Sequence, residues 1–588
     1  MNARQALPAW RSLEAKATRW LCSVRPRLDP DLTPLSRQIF VTKGLAEVSL
    51  LLALRKRLDP DSFDADNSSL VDHLSRVSRR ESQRELIGLD PYSFPLHVLI
   101  YAGLRICGHD DGDLRWKIEK TVDSGYVLCV QRVPYRYLDL MYSLQLAGIG
   151  HKVRGIKAIG VLSLQPGFYN AIQLTERDMY SLTHTIFYLT DFGMRTSRLK
   201  DEETRAIIEQ LETLLIIARG RANVDLAAEL LAALTCLGVF SSSEIDQTWP
   251  LIFNFQAPDR RIPASGQVES DPTEEWPSGL LADCHTTVVA AIAALLARTL
   301  PLSSPPVPPS DASPPRLTIQ RLPEIRGALK RSALWLCSNA ERSSLSSALV
   351  TIAAALEAEN VLRSKLPPMR DALSALAGRL DATAPEPQDL VESEAAPLQT
   401  VARAMERYAI SRLSDEWIQH ALSSVGAQPS GHTQPLAASS QRIAAELASP
   451  LKGPRDFNRC LKLIGRDSLT VDSTETEDAP SHEVRDKLIV LLAMSCRENR
   501  LTHVAILTRY LIRLGFHDHR ATRDGVRFLL GRQRPDGRFG PCLEQDTADP
   551  TEGPEGLCTV ACSLVLTDYC QSLRRRVDEH PTSERSQL

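Results

Sequence analysis

The sequence predicts an all-α protein made of two related helical-hairpin domains. Three observations carry this. The 588 residues are 43% hydrophobic and 24% charged, rich in Leu, Ala and Arg, with 29 Gly and only 5% aromatic residues, a helical rather than sheet-forming profile. Apolar residues recur at threes and fours, as in RAIIEQLETLLIIARG and VDLAAELLAALTCLGVF, and strand-like alternation is almost absent. Several short motifs also recur in the same order in the two halves. The hairpins these helices form fit a bundle, a solenoid or a closed toroid, and periodicity does not choose among them.

The chain is too long for one ordinary core. Near its middle, PLSSPPVPPSDASPPR spans Pro301 to Arg316, and its prolines predict an extended linker. The boundaries follow: a first helical domain over 1–300, the linker over 301–316, a second and diverged domain over 317–576, and a disordered tail over 577–588. Further irregular insertions are expected at Asp381–Pro397, Ser424–Ser440 and Thr470–Pro480.

Four anchors argue for tandem duplication. RSLEAKATRWLCS before Val24 matches RGALKRSALWLCS before Asn339, each Trp preceded by an Arg nine residues earlier and a basic residue four earlier. SLTHTIFYL around His184 pairs with RLTHVAILTRYL around His503. The motif QAPD at Gln256 pairs with QRPD at Gln533, and DPTEEWPSGLLADCH after Asp271 with DPTEGPEGLCT after Asp549. This alignment sets Ala282-Asp283-Cys284-His285 opposite Gly556-Leu557-Cys558-Thr559 and leaves the second copy one helix pair short between His503 and Gln533.

The stretch Gln533-x-x-Asp536-Gly537-x-Phe539, closing one helix and opening a loop, resembles the Gln-Asp-Gly-Trp turn of the terpenoid cyclase and protein prenyltransferase α/α toroids, with Phe where that family has Trp. The resemblance implies that each domain is an α/α toroid or partial toroid, with reacting groups facing a central cavity. In the first copy, Arg260 stands where Gly537 stands in the second.

Three polar clusters in the first copy are candidates for chemistry. His184 and Asp191 lie seven residues apart, on one helical face about 10 Å apart along the axis, so His184 is expected to move a proton with Asp191 orienting it. Asp283-Cys284-His285-Thr286-Thr287 precedes an apolar run and reads as a helix start, a favourable place for anionic groups. There His285 is a catalytic candidate and Thr286 a substrate-binding one. Asp139, which interrupts the apolar spacing of YRYLDLMYSL, is a second substrate-binding candidate.

Zinc is the expected cofactor, if one is present, because Asp, Cys and His are its ligand types and a catalytic zinc takes three of them. The metal candidates are Asp283, Cys284 and His285. Prenyltransferase β subunits hold zinc on an Asp, a Cys two residues later and a distant His, whereas Asp283 and Cys284 are adjacent. Cys284-His285 also resembles the Cys-His pair of lanthionine cyclases, but the glycine-flanked motifs of that family are absent. No Asp-x-Asp-Asp or Asp-Asp-x-x-Asp motif occurs, and the acidic loop His109–Asp113 reads as solvated.

The net charge of −3 gives no case for nucleic-acid binding. No membrane span is expected, and twelve scattered cysteines suit a reducing cytoplasm. The resulting expectation is a cytoplasmic enzyme of specialised metabolism, acting on a small-molecule or peptide substrate through a His/Asp acid–base or metal-assisted pocket in the first domain. The alternative is a non-catalytic helical scaffold that binds a protein partner.

Overall fold

A computed structural model describes residues 3–33, 38–128, 130–151, 170–196, 201–264, 279–300, 322–340, 345–383, 400–401, 404, 482–540 and 554–579. The predicted linker and the three expected insertions lie outside these residues, apart from Asp381–Thr383. The fold is all-α: among the described residues there is no strand, and one isolated bridge joins Gln533 to Phe539. The chain divides into two compact units, residues 1–169 with 174–311, and residues 312–588 with the short segment Asn170–Gln173.

In the first unit the helices are α1 (Ala3–Val24), α2 (Gln38–Leu58), α3 (Ala65–Ser78), α4 (Glu81–Leu89), α5 (Phe94–Ile106), α6 (Gly112–Asp123), α7 (Pro134–Leu146), α8 (Glu176–Thr190), α9 (Asp201–Gly220), α10 (Val224–Cys236), α11 (Ser243–Phe255) and α12 (Gly279–Thr299). Six of them form a closed succession. Helix α2 packs on α5, α5 on α7, α7 on α8, α8 on α10 and α10 on α12, and α12 returns to α2. The others lie against these six: α1 on α12, α3 on α2 and α5, α9 on α10, and α11 on α9 and α10.

Sequence explains these positions. All 13 residues of α10, VDLAAELLAALTC, are buried, as a helix packed on several neighbours requires. Asn223 caps it by accepting from the Leu226 amide at 3.1 Å. Helix α8 starts at a reciprocal capping box between Thr175 and Asp178, which satisfies two otherwise orphaned backbone donors. Helices α2 and α5 meet closely at Gly103, where a Cβ would lie 2.0 Å from Ser49 Oγ; only glycine fits there.

Helix α12 bears on the expected absence of a membrane span. With a mean hydropathy of 1.8, it is long and apolar enough to cross a membrane by length and composition. In this fold 78% of that apolar stretch is buried, against α1, α2 and α10, which accounts for its apolarity without a bilayer.

The second unit contains α13 (Leu322–Asn339), α14 (Leu345–Leu362), α15 (Met369–Thr383), α16 (His482–Arg497), α17 (Leu501–Arg513), α18 (Arg520–Leu530) and α19 (Pro554–Glu579). Its last helix packs on α13, α14 and α17, as α12 packs on α1, α2 and α10. The helix α19 runs on through Glu579, so residues 577–579 of the expected tail are helical; residues 580–588 lie outside the described set.

The turns after α11 and α18 agree bond for bond. In the first, Arg260 N donates to Ala257 O at 2.8 Å, Ala257 N to Arg261 O at 2.9 Å, and Gln256 Nε2 to Arg260 O at 3.2 Å. In the second, Gly537 N donates to Arg534 O at 2.9 Å, Arg534 N to Arg538 O at 2.8 Å, and Gln533 Nε2 to Gly537 O at 3.3 Å. Arg260 adopts φ 82°, matching the φ of 98° at Gly537, so the first turn keeps a conformation that normally favours glycine.

This register corrects the sequence alignment at two points. The Ile262 amide donates to Thr287 Oγ1 at 2.9 Å, and the Phe539 amide to Thr559 Oγ1 at 3.1 Å. Thr287 therefore corresponds to Thr559, which sets Leu557 opposite His285. Likewise Val224 lies 32 residues before Gln256, as Leu501 lies 32 before Gln533. Helix α17 thus answers α10, not α8, and the helix pair expected to be missing after His503 is not missing there. The shared Leu-Thr-His at His184 and His503 is a coincidence of composition in two apolar helices.

Candidate functional site

The six helices in closed succession line a solvent-open pocket of about 500 Å³. Each contributes one face at helical spacing: Lys43, Glu47 and Leu50 from α2; Leu96 and Leu99 from α5; Tyr135, Arg136 and Asp139 from α7; Tyr180, His184 and Tyr188 from α8; Asp225, Glu229 and Ala232 from α10; His285, Val289 and Ile292 from α12. Leu50, Leu96, Leu99, Val289 and Ile292 supply an aliphatic lining, and five of the six helices contribute ionisable side chains.

That group centres on α10. Asp225 and Glu229 are one turn apart on the same helical face, and His285 of α12 reaches both, its Nε2 lying 3.4 Å from Asp225 Oδ1 and 3.7 Å from Glu229 Oε1. On the far side of Glu229, His184 Nε2 stands 3.8 Å from the same Oε1. Every member is held from behind. Tyr180 Oη donates to Asp225 Oδ2 at 2.6 Å, and Thr183 Oγ1 donates to Glu229 Oε2. His285 Nδ1 donates to Glu47 Oε1 at 2.9 Å, and His184 Nδ1 donates to the Tyr180 carbonyl at 2.7 Å. Lys43 Nζ completes the group, 3.4 Å from Glu47 Oε1.

Burial and charge act against each other here. Burial, with the Asp225 carboxylate beside it, raises Glu229 to about 8. Burial would also raise Glu47 and Asp225, but His285 outweighs it and holds both below their ordinary values, Glu47 at about 2 with help from Lys43. Burial disfavours the charged form of His285, yet Glu47 and Asp225 overcome it and lift the ring well above its ordinary value. At His184 burial outweighs the Tyr180 carbonyl and the Asp139 charge, and lowers the ring to about 4.

The structure gathers some of the residues expected from sequence and disperses the rest. His184, His285 and Asp139 line the cavity; Asp139 accepts from Tyr188 Oη at 3.1 Å and from Arg136 at 3.3 Å. Asp191 does not orient His184. It ends α8 in the left-handed conformation at φ 49°, which turns its carboxylate to Arg57, at 2.9 and 2.7 Å, and to Tyr142 Oη, at 3.1 Å.

The expected metal set separates as well. Helix α12 begins at Gly279, so Asp283-Cys284-His285 lies beyond its first turn and is not its start. Asp283 accepts from Arg261 at 2.6 Å and from the Ala264 amide at 2.8 Å, tying the duplicated turn to α12. Cys284 is fully buried, with its thiol pushed up by burial, and it packs towards Gly44 of α2. Thr286 is buried and bonds back to Ala282 O at 3.1 Å, not to the cavity. The acidic loop is also accounted for: Asp111 caps α6 and pairs with Arg84, and Asp110 accepts from Tyr101.

Glu47, Asp225 and Glu229 escaped the sequence reading. Two carboxylates at i and i+4 read as an ordinary polar edge in sequence; the structure shows that they cannot both face solvent, because the whole helix is buried. At the corresponding places the second unit has Thr502, Ile506 and Leu557.

Residues 14–295 match the family model described as a domain of unknown function, DUF6895. The match begins within α1 and ends within α12, so it takes in all six cavity-lining helices and stops short of the second unit. No curated protein matches the chain.

Proposed function

We propose that the first unit is an α/α-toroid enzyme whose central cavity binds a small amphiphilic molecule or short peptide segment and acts on it through the His184–Glu229–His285 group. The observation that carries this is the convergence of individually anchored ionisable groups, Asp225 and Glu229 buried and His184 and His285 partly so, on a pocket of about 500 Å³, within the range of small-molecule sites. Its aromatic and aliphatic side chains would hold the apolar part of the molecule, while the ionisable groups present proton donors and acceptors. His184, with Nδ1 committed to a carbonyl, keeps Nε2 for proton transfer. The closed helix succession supports the toroid reading. The second unit, with Thr502, Ile506 and Leu557 at the corresponding positions, is then a degenerate copy.

Native mass spectrometry of full-length protein after incubation with a defined library of amphiphilic metabolites and short peptides tests this. Ala232→Phe, which fills the cavity, serves as the comparison. Ligands held by the wild type, released by Ala232→Phe and converted only when Glu229 is intact are expected. A library that binds neither protein, or binds both equally, would overturn the reading.

A further inference from the structure

We infer that Asp225, Glu229 and His285 form a preorganised site for a divalent transition-metal ion of the zinc class, with His184 beside the position left open to the cavity. The inference deepens the enzyme reading of the same cavity and rests on it for the ion's chemical use, though not for its binding. It replaces the expected Asp283–Cys284–His285 set, of which only His285 is retained.

The geometry is that of a ligand cage. One atom from each of the three residues lies within 4.8 Å of the other two. Ligands about 2.0–2.1 Å from a four-coordinate ion stand roughly 3.3–3.4 Å apart. The separations of 3.4 and 3.7 Å between His285 Nε2 and the two carboxylate oxygens therefore need only small side-chain adjustments to enclose one.

A second observation concerns how these atoms are left. Each carboxylate has one oxygen fixed by a hydroxyl and the other turned inward. Asp225 is 8% exposed, and its inward Oδ1 makes no hydrogen bond of ordinary geometry, facing only His285 Nε2 at 3.4 Å. His285 has its Nδ1–H on a carboxylate, which places Nε2 inward and is the second-shell arrangement that orients metal-bound imidazoles. His184 is set in the same tautomer by the Tyr180 carbonyl. Four side chains anchored through one atom and presenting another to a common centre are more than a helix needs for stability. Imidazole among the ligands favours zinc, copper, iron or nickel over magnesium and calcium. A site with three protein ligands leaves a position for water or substrate, and His184 is placed to exchange a proton with it.

The test uses the full chain purified without chelator. Metal content is read by elemental mass spectrometry, and the metal-stripped protein is then titrated with Zn²⁺, Mn²⁺ and Co²⁺, Co²⁺ reporting its coordination through its visible spectrum. One tightly bound equivalent and a low-symmetry Co²⁺ spectrum are expected. Asp225→Asn and His285→Gln should abolish binding, Glu47→Gln should weaken it about 10- to 100-fold through the second shell, and Cys284→Ala should leave it intact. Absence of a saturable site in the wild type overturns the inference. So does binding that survives Asp225→Asn and His285→Gln, or is lost in Cys284→Ala with the fold intact by circular dichroism. Because Co²⁺ coordination is read on the wild type, a variant that fails to fold does not remove the test. If no metal binds while Ala232→Phe still displaces cavity ligands, the metal assignment alone falls; if the metal binds and no cavity ligand is found, the enzyme reading falls and the site stands.

Discussion

Asp191→Asn separates the sequence-based mechanism from the structural one. If Asp191 oriented His184, the change would impair proton transfer and leave stability nearly untouched. The structure instead makes Asp191 a clamp: it is 7% exposed, accepts two bonds from Arg57 and one from Tyr142, and joins the ends of α2, α7 and α8. Asn keeps the shape and tolerates left-handed backbone, so the substitution removes the charge and replaces one of the two oxygens that accept from Arg57 by an amide donor. Hydrogen bonds to charged groups contribute about 1.5–3 kcal/mol. Arg57 keeps 26% of its side chain exposed, which softens the penalty for leaving it unpaired. We expect a loss of about 2–3 kcal/mol, lowering the melting temperature of the first unit by roughly 4–10 °C. Asp191→Ala should lose about 1–2 kcal/mol more, because Ala is strained at φ 49°. Calorimetry of the full chain, with Arg57→Met completing a double-mutant cycle, supplies the measurement. A melting temperature within about 1 °C of wild type, together with lost cavity chemistry, would refute the assignment.

Two further predictions concern the frame. Gly537→Ala should destabilise the second unit by more than about 3 kcal/mol in urea unfolding, because a Cβ there meets the Arg331 carbonyl at 2.2 Å and the residue holds φ 98°, a strain worth about 1–2 kcal/mol by itself. Arg260→Gly should stabilise the first unit by about 0.5–1 kcal/mol, since relief of the same conformation exceeds the entropy cost of glycine. Acid should weaken the first unit through His97. Burial, with no hydrogen bond to Nε2, lowers this ring from 6.5 to about 4. Above pH 6.5 it is neutral in both states and costs nothing. Below that pH the unfolded chain takes up a proton that the native state refuses. Stability should therefore fall by up to about 3 kcal/mol between pH 6.5 and 4, and His97→Leu should remove that component from the pH profile.

The helical class was legible because three-and-four periodicity reports directly on which face a helix buries. The turn at Gln256 and Gln533 was legible because its Gln, Pro and Asp make the bonds that define it. Register was harder to read. His184 and His503 share their neighbours by composition, and the spacing of helices from the Gln256 and Gln533 turns, with the threonine-to-amide bonds at Thr287 and Thr559, fixes which helix answers which. Within the site, His184, His285 and Asp139 could be found as polar residues in apolar helices. Asp191 satisfied the same criterion, but a left-handed helix end turns it away, and no periodicity argument foresees that. Asp225 and Glu229 were passed over because VDLAAELLAAL reads as a helix with an ordinary polar edge until its complete burial is known.

The matching turns lie at helix ends and the ionisable groups lie on the inward faces between them, so frame and interior share almost no bonds beyond Asp283 and Thr287. Such a frame can lose its reactive lining without unfolding, and by the same reasoning can be given one. Thr502→Asp, Ile506→Glu and Leu557→His would write the three ligand types into the second unit at the corresponding register. The chain thus carries, beside its proposed working site, a template of the same register for engineering another.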